Sequence, residues 1–238
     1  MVNVLLLDLD GTLLDIDMDV FLKEYMGALA ARFSSLMPPK EFIARLWEST
    51  GAMAGNVDPS VTNREAFNRH FFPFAGRSAE ELEPLFSAFY RDEFPRFGRL
   101  TRQMPGARAC LDAALGAGWE TVIATDPLFP RQAIEERLRW AEIDDLPFRL
   151  VTSYENMHFC KPHAQYFQEI LEKVERRPEQ CLMVGNDILQ DFGCRKLGIG
   201  TFLVDQGRVI GDEASFRPDF RGTLDDLREL VSRGTLEL

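Results

Sequence analysis

Apolar and polar positions follow two rhythms along this chain. Residues 2–9 (VNVLLLDL) form a short, almost unbroken apolar run that ends in the polar cluster Asp10-Gly11-Thr12. Four later segments repeat the pattern: 119–125 (WETVIAT), 148–152 (FRLVT), 180–185 (QCLMVG) and 200–204 (GTFLV). Short continuous apolar runs of this kind are strands buried on both faces. Between them, 105–117, 130–141, 163–175 and 188–197 carry apolar residues at helical spacing, the last closed by Gly198 where a left-handed residue is favoured. A further helix over 223–232 opens at Thr223-x-x-Asp226. Alternating strand and helix predict an α/β fold, a doubly wound parallel sheet with helices on both faces. In such sheets ligands sit beyond the carboxyl ends of the strands.

Residues 15–102 break the alternation, being rich in helical spacing and poor in strand signal. Leu22, Met26, Leu29 and Phe33 share one stripe, and Phe42, Ile43, Leu46 and Trp47 form a second apolar face. Thr62-x-x-Glu65 and Ser78-x-x-Glu81 fit capping boxes that lead into Phe67/Phe71 and Leu82/Leu85/Phe86/Phe89. Pro84 lies inside the last pattern, so that helix is expected to kink or to begin later. The Phe-rich positions 67, 71, 72, 86 and 89 read as the core of a helical bundle. The chain thus divides into a core of 1–14 and 103–238 and an inserted all-helical unit of 15–102.

Composition narrows the functions available. A net charge of −11 in 238 residues, with no basic stripe, disfavours nucleic acid, whose affinity rests on neutralising phosphates. The apolar run Val4–Leu7 is interrupted by Asp8 and Asp10 and falls far short of a signal core or a membrane span, so a cytoplasmic location without membrane contact is expected. Cys110, Cys160, Cys181 and Cys194 form no Cys-x-x-Cys pair and read as free thiols, and His70, His158 and His163 lack zinc-site spacing.

Candidate chemistry collects at the strand ends. Asp8 and Asp10 stand two residues apart where the first strand gives way to a turn; carboxylates that close repel unless they share a proton or a cation, and an all-oxygen site suits Mg²⁺. Thr125 ends the second strand, offering a hydroxyl and a nearby N–H for a phosphoryl oxygen. Lys161 follows the third strand in Cys160-Lys161-Pro162. The fourth ends in Gly185-Asn186-Asp187-Ile188-Leu189-Gln190-Asp191, which adds acidic groups able to complete a metal site.

In this order, DLDGT, a strand-terminal Thr, Lys-Pro and a Gly/Asp cluster resemble the four motifs of the haloacid dehalogenase-like hydrolase superfamily, in the subfamily with a helical cap between the first and second motifs. The resemblance spans nearly the whole chain and implies a Rossmann-like core. It also implies that Asp8 is a nucleophile forming an aspartyl-phosphate and that Asp10 is the acid and base. Thr125 and Lys161 would stabilise the transferring group, with Asp126 beside the phosphate. Mg²⁺ would be held by Asp8, the Asp10 carbonyl and the fourth motif, directly by Asn186 or by Asp187, with Asp191 in support. The implied activity is Mg²⁺-dependent hydrolysis of a small phosphorylated metabolite. A phosphomutase, a phosphonatase and a non-catalytic phosphate-binding protein are the alternatives. Dehalogenases of the family generally lack an acid at the position of Asp10. Two positions depart from the family pattern: Asp126 replaces a common Asn, adding negative charge near the phosphate site, and Asn186 replaces a common Asp, removing one from the metal site. Oligomeric state is not legible.

Overall fold

The structure, a computed structural model, describes residues 1–212, 214, 216–234 and 236. Numbered in chain order, the strands are β1 Val4–Leu7, β2 Leu14–Ile16, β3 Thr101–Gln103, β4 Glu120–Ile123, β5 Leu150–Val151, β6 Cys181–Gly185, β7 Gly200–Val204 and β8 Phe220–Gly222. The α-helices are α1 Met18–Arg32, α2 Pro39–Ala54, α3 Asn63–Ala75, α4 Ala79–Asp92, α5 Ala107–Gly116, α6 Arg131–Trp140, α7 Ala164–Val174, α8 Ile188–Asp191 and α9 Leu224–Val231. Six strands pair in the order β5-β4-β1-β6-β7-β8, every pairing parallel. This is the doubly wound α/β sheet expected. Sequence order reverses direction at β1, so the end of β1 is the topological switch point where such sheets open a crevice.

The four residues of β1 are fully buried and serve two cores. Leu5 and Leu7 face α5, α6 and α9, packing with Leu111, Ile134, Leu138 and Leu227. Val4 and Leu6 face α7, packing with Phe167, Ile170 and Val174. A run that is apolar on every position is therefore required by helices on both faces, and the strand ends are left as the place for polar residues.

Helices α1–α4 carry a third core in which Phe21, Leu29, Phe42, Phe71 and Phe89 are fully buried, joined from the sheet side by Ala133 of α6. Both capping boxes have formed: the Thr62 and Ser78 amides donate to Glu65 and Glu81 Oε2 at 2.8 and 3.0 Å. Helix α4 starts at that cap and runs on through Pro84 rather than starting later. Phe71, Phe72 and Phe89 are buried in this core and Phe67 and Phe86 pack against it, as expected, while Phe67, Phe72 and Phe86 also line a cavity.

Other local expectations need correction. The helix expected over 188–197 is a four-residue α8 followed by a 3₁₀ segment, Phe192–Leu197. Gly193 lies in that segment with its backbone so near Pro162 that an added Cβ would meet the Pro162 carbonyl oxygen at 2.4 Å. The strand over 148–152 is reduced to Leu150–Val151. Both crossings into α1–α4 pair as an antiparallel ribbon, β2 with β3, a feature with no apolar run to announce it.

Candidate active site

Asp8 is the first residue beyond β1, and its amide donates to the Val184 carbonyl of β6 at 2.9 Å, fixing it at the switch point. Its two carboxylate oxygens have separate partners. Oδ1 accepts from Lys161 Nζ at 2.8 Å and Oδ2 from Thr12 Oγ1 at 3.2 Å. The Thr12 hydroxyl also lies 3.0 Å from Asn186 Oδ1, its one proton shared between the two acceptors, so one buried hydroxyl gathers the first and fourth motifs. The turn between them depends on glycine. Gly11 has φ +84°, and a Cβ there would lie 2.5 Å from Asn186 Nδ2.

Lys161 is 4% exposed and bridges Asp8 to Asp191, whose Oδ1 lies 2.6 Å from Nζ. Burial alone would lower the Lys161 ammonium pKa, but Asp191 and Asp8 outweigh it and hold the pKa well above the ordinary value. Burial and the Asp8 charge push the Asp191 carboxyl up to about 7 against the opposing pull of Lys161. Gly185 makes room for this carboxylate, since a Cβ there would overlap Asp191 Oδ2 at 2.1 Å.

Asp10 is held by a residue that no motif signals. Arg137 of α6, 1% exposed, bonds Asp10 Oδ2 through Nη1 and lies over the Phe129 ring, 4.3 Å from its centroid. Burial raises the Asp10 carboxyl and Arg137 pulls it back; Asp8 adds to the rise. Asp10 Oδ1 and Arg137 Nη2 are buried without a hydrogen-bond partner among the described residues. Helical spacing alone gave Arg137 no reason to be singled out. The available hint was its place on the same face as Ile134 and Leu138, where an unpaired cation is rarely buried.

The remaining candidates are distributed around this centre. Thr125 is buried at the end of β4, and its carbonyl accepts from Thr152 Oγ1 at 2.7 Å and Tyr166 OH at 2.9 Å. Asp126 Oδ1 accepts the Lys161 amide at 3.1 Å, and burial, which outweighs Lys161, pushes its carboxyl up to about 6. Asn186 donates its amide to the Arg208 carbonyl at 2.7 Å, which orients Oδ1 toward Thr12 and Asp8. Asp187 is turned to its own helix: Oδ1 caps α8 by accepting from the Leu189 and Gln190 amides, both at 3.0 Å. Asp191 Oδ2 accepts the Asp187 amide at 2.9 Å. The structure therefore gathers Asp8, Asp10, Lys161, Asn186 and Asp191, and gives Asp187 a capping task.

No three His, Cys, Asp or Glu side chains converge as a ready metal cage among the described residues. The fit to Mg²⁺ rests instead on charge and donor type. Four carboxyl groups, Asp8, Asp10, Asp126 and Asp191, surround two cations, Lys161 and Arg137, so the cluster would carry an excess of two negative charges if all four were ionised, and the raised Asp10, Asp126 and Asp191 carboxyls mark that excess. Asp8 and Asn186 supply converging oxygens. Mg²⁺ ordinarily takes one or two carboxylates and completes its shell with water and substrate oxygens, so this donor set suits it.

A parallel sheet reversing at β1 thus carries paired carboxylates, a buried lysine and an acidic cluster at its strand ends. A family model for haloacid dehalogenase-like hydrolases matches residues 2–193, and a related one, HAD-hydrolase-like, matches 158–230. The chain belongs to this hydrolase family. It is 21% identical over 233 residues to the pyrophosphatase PpaX of Bacillus cereus (strain ATCC 10987 / NRS 248), covering 97% of this chain and 95% of that one. Among solved structures, a predicted phosphoglycolate phosphatase from Haemophilus somnus 129PT superposes with a TM-score of 0.60 at 19% identity, over 96% of this chain and 97% of its own. The L-2-haloacid dehalogenase from Xanthobacter autotrophicus superposes at 0.57 with 19% identity, over 99% and 100%. The shared fold thus serves both phosphatases and a dehalogenase, and the side chains must separate them.

Proposed function

We propose that the protein is a Mg²⁺-dependent phosphohydrolase that cleaves a small phosphorylated metabolite through an aspartyl-phosphate on Asp8. The observation that carries this reading is the pair Asp8 and Asp10: one carboxylate beside Lys161, the other held on Arg137 with a bare buried oxygen. A dehalogenase needs only the first. The sequence relative named as a pyrophosphatase supports the same choice.

In this reading an Asp8 carboxylate oxygen attacks phosphorus while the bond from phosphorus to the leaving oxygen breaks. Asp10 gives that oxygen its proton from Oδ1, since Oδ2 is occupied by Arg137. Asp10 then takes a proton from water, whose oxygen attacks phosphorus and breaks the bond to Asp8. Lys161 offsets the negative charge gathered on Asp8 and the phosphoryl oxygens, and Thr125 offers its hydroxyl to one of those oxygens. Asp8, the Asp10 carbonyl and Asn186 would hold Mg²⁺, which would supply charge neutralisation for the phosphoryl group. Asp187 and Asp191 act from behind, by fixing the fourth-motif turn and Lys161.

Residues 15–102 are proposed to be a cap that closes over this site, on a core made of 1–14 and 103–238. The ribbon of β2 and β3 marks both crossings, and the α1–α4 core is built from its own aromatic residues. The test is release of phosphate from p-nitrophenyl phosphate with and without Mg²⁺. Asp8→Asn is expected to lower the rate by about a thousandfold or more, and Asp10→Asn by about 10²–10⁴-fold. Undiminished turnover in Asp8→Asn would sink the proposal.

A further inference from the structure

The two carboxylates of the first motif are held by separate partners. Asp8 is fixed by Thr12, from the turn after β1, and by Lys161, whereas Arg137 is the one hydrogen-bond partner of the Asp10 side chain among the described residues. Arg137 stands outside all four motifs, on the buried face of α6 with Ala133, Ile134 and Leu138. A cation among apolar neighbours is costly unless it is paired, and here its ion-pair partner is Asp10.

Arg137 is itself immobilised. Its guanidinium lies on the Phe129 ring, 4.3 Å from the centroid, and Nε donates to the Ala133 carbonyl one turn back along α6 at 3.4 Å. The Asp10 side chain has two torsions of its own and a like charge nearby on Asp8, so a rigid donor is what gives it one orientation. A guanidinium also donates and never accepts. The oxygen turned to it, Oδ2, therefore cannot direct a proton toward Arg137. The proton that Asp10 gives and takes back belongs on Oδ1, the oxygen without a hydrogen-bond partner among the described residues.

We infer that Arg137 is a positioning residue for proton transfer: seated on Phe129, it fixes the Asp10 carboxyl so that Oδ1 faces the leaving oxygen in the first step and the attacking water in the second. The inference rests on the phosphohydrolase reading and adds to it a residue from outside the motifs. Because Asp8 keeps its own partners, loss of Arg137 should impair both proton transfers and spare the attack of Asp8 on phosphorus. A leaving group that departs as a stable anion needs no proton in the first step, so its ester should be insensitive to Arg137 there.

Two esters of similar shape separate this role from a merely structural one. The full chain with Mg²⁺ is assayed on 2,4-dinitrophenyl phosphate, whose phenolate leaves unprotonated, and on phenyl phosphate, whose more basic oxygen needs a proton. The comparison uses kcat/KM, which covers the steps up to release of the phenol and not the attack of water. In Arg137→Met it should fall by about a hundredfold for phenyl phosphate, the low end of what a positioned acid supplies, and by less than about threefold for the dinitrophenyl ester. With that ester the variant should also show a burst of dinitrophenolate approaching one equivalent per chain, because the water step still needs Asp10 as base. Arg137→Lys keeps the cation without the fork, and Phe129→Leu keeps Arg137 without its ring; both should show the same asymmetry at smaller size, and they carry the test if Arg137→Met does not fold. Equal losses on the two esters, or no loss on phenyl phosphate, overturn the inference and leave the phosphohydrolase reading intact. Failure of the unaltered chain to release phosphate from either ester overturns that reading and the inference with it.

Discussion

Arg137 and Asp10 form a buried pair in which each holds the other's charge, so removing one partner strands the other. Arg137→Ala should lower unfolding free energy by about 3 kcal/mol, measured by urea denaturation, and Arg137→Lys should recover less than half, because an ammonium cannot both reach Oδ2 and stack on Phe129. A loss below about 0.5 kcal/mol would show that the pair is incidental. Asp126 gives a pH signature. Its folded pKa, about 6, lies above the ordinary carboxylate value, so the folded protein binds more protons between about pH 4 and 6 and stability from this group falls as pH rises through that window. Asp126→Asn keeps an oxygen for the Lys161 amide and removes the buried charge. Its melting temperature should match the parent near pH 4 and exceed it above pH 6, by on the order of 1 kcal/mol in stability. A parallel pair of curves would refute the assignment. Asp8, Asp10, Lys161 and Asn186 were legible because strand ends announce themselves. Arg137 and the capping task of Asp187 were not, since each depends on which side chain lies opposite after folding.

At the scale of elements, the helices α1–α4 meet the sheet at more than their two chain crossings. The first turn of α3 is tied to the segment after β5: the Asn63 amide donates to the Met157 carbonyl at 2.8 Å and the Arg64 amide to the Tyr154 carbonyl at 2.8 Å. The Asn63 side chain reaches the carbonyls of Pro127 and Phe159 at 3.4 and 3.3 Å, and Asn56 donates to the His158 carbonyl at 3.0 Å. A cap hinged at the β2–β3 ribbon must release this latch to open. Asn63→Ala should cost about 1–2 kcal/mol and raise hydrogen exchange across 56–64 while leaving β1 and β6 protected. Unchanged exchange there would mean that the latch is not what holds the two parts together. The long helices and central strands were readable from period and caps, because 11–16 residues of consistent spacing outvote local noise. The ribbon, β8 and the shortened β5 were not. Two or three residues of mixed polarity, such as Phe220-Arg221-Gly222, pair only because a neighbouring strand is already in place.

Across the whole molecule, one imbalance recurs: a net charge of −11, with four carboxyl groups, three of them raised in pKa, gathered around two cations at the switch point. A bound divalent cation should therefore stabilise the fold as well as serve chemistry. Mg²⁺ at about a hundred times its dissociation constant should add about 2.7 kcal/mol, an increment that EDTA removes and Asn186→Ala largely abolishes. Magnesium-independent melting would contradict the charge argument. None of the described helices is long and apolar enough to cross a membrane, in keeping with the interrupted apolar run at Asp8. The central claim is covalent chemistry at one atom group, and it can be read directly. During turnover of a phosphate monoester with Mg²⁺, quenching with borohydride reduces an acyl phosphate to an alcohol, and peptide mass spectrometry locates the change. The account predicts reduction of the side chain at position 8 alone, dependent on substrate and Mg²⁺. Continued turnover with Asp8 recovered intact, or reduction at another carboxylate, would contradict it.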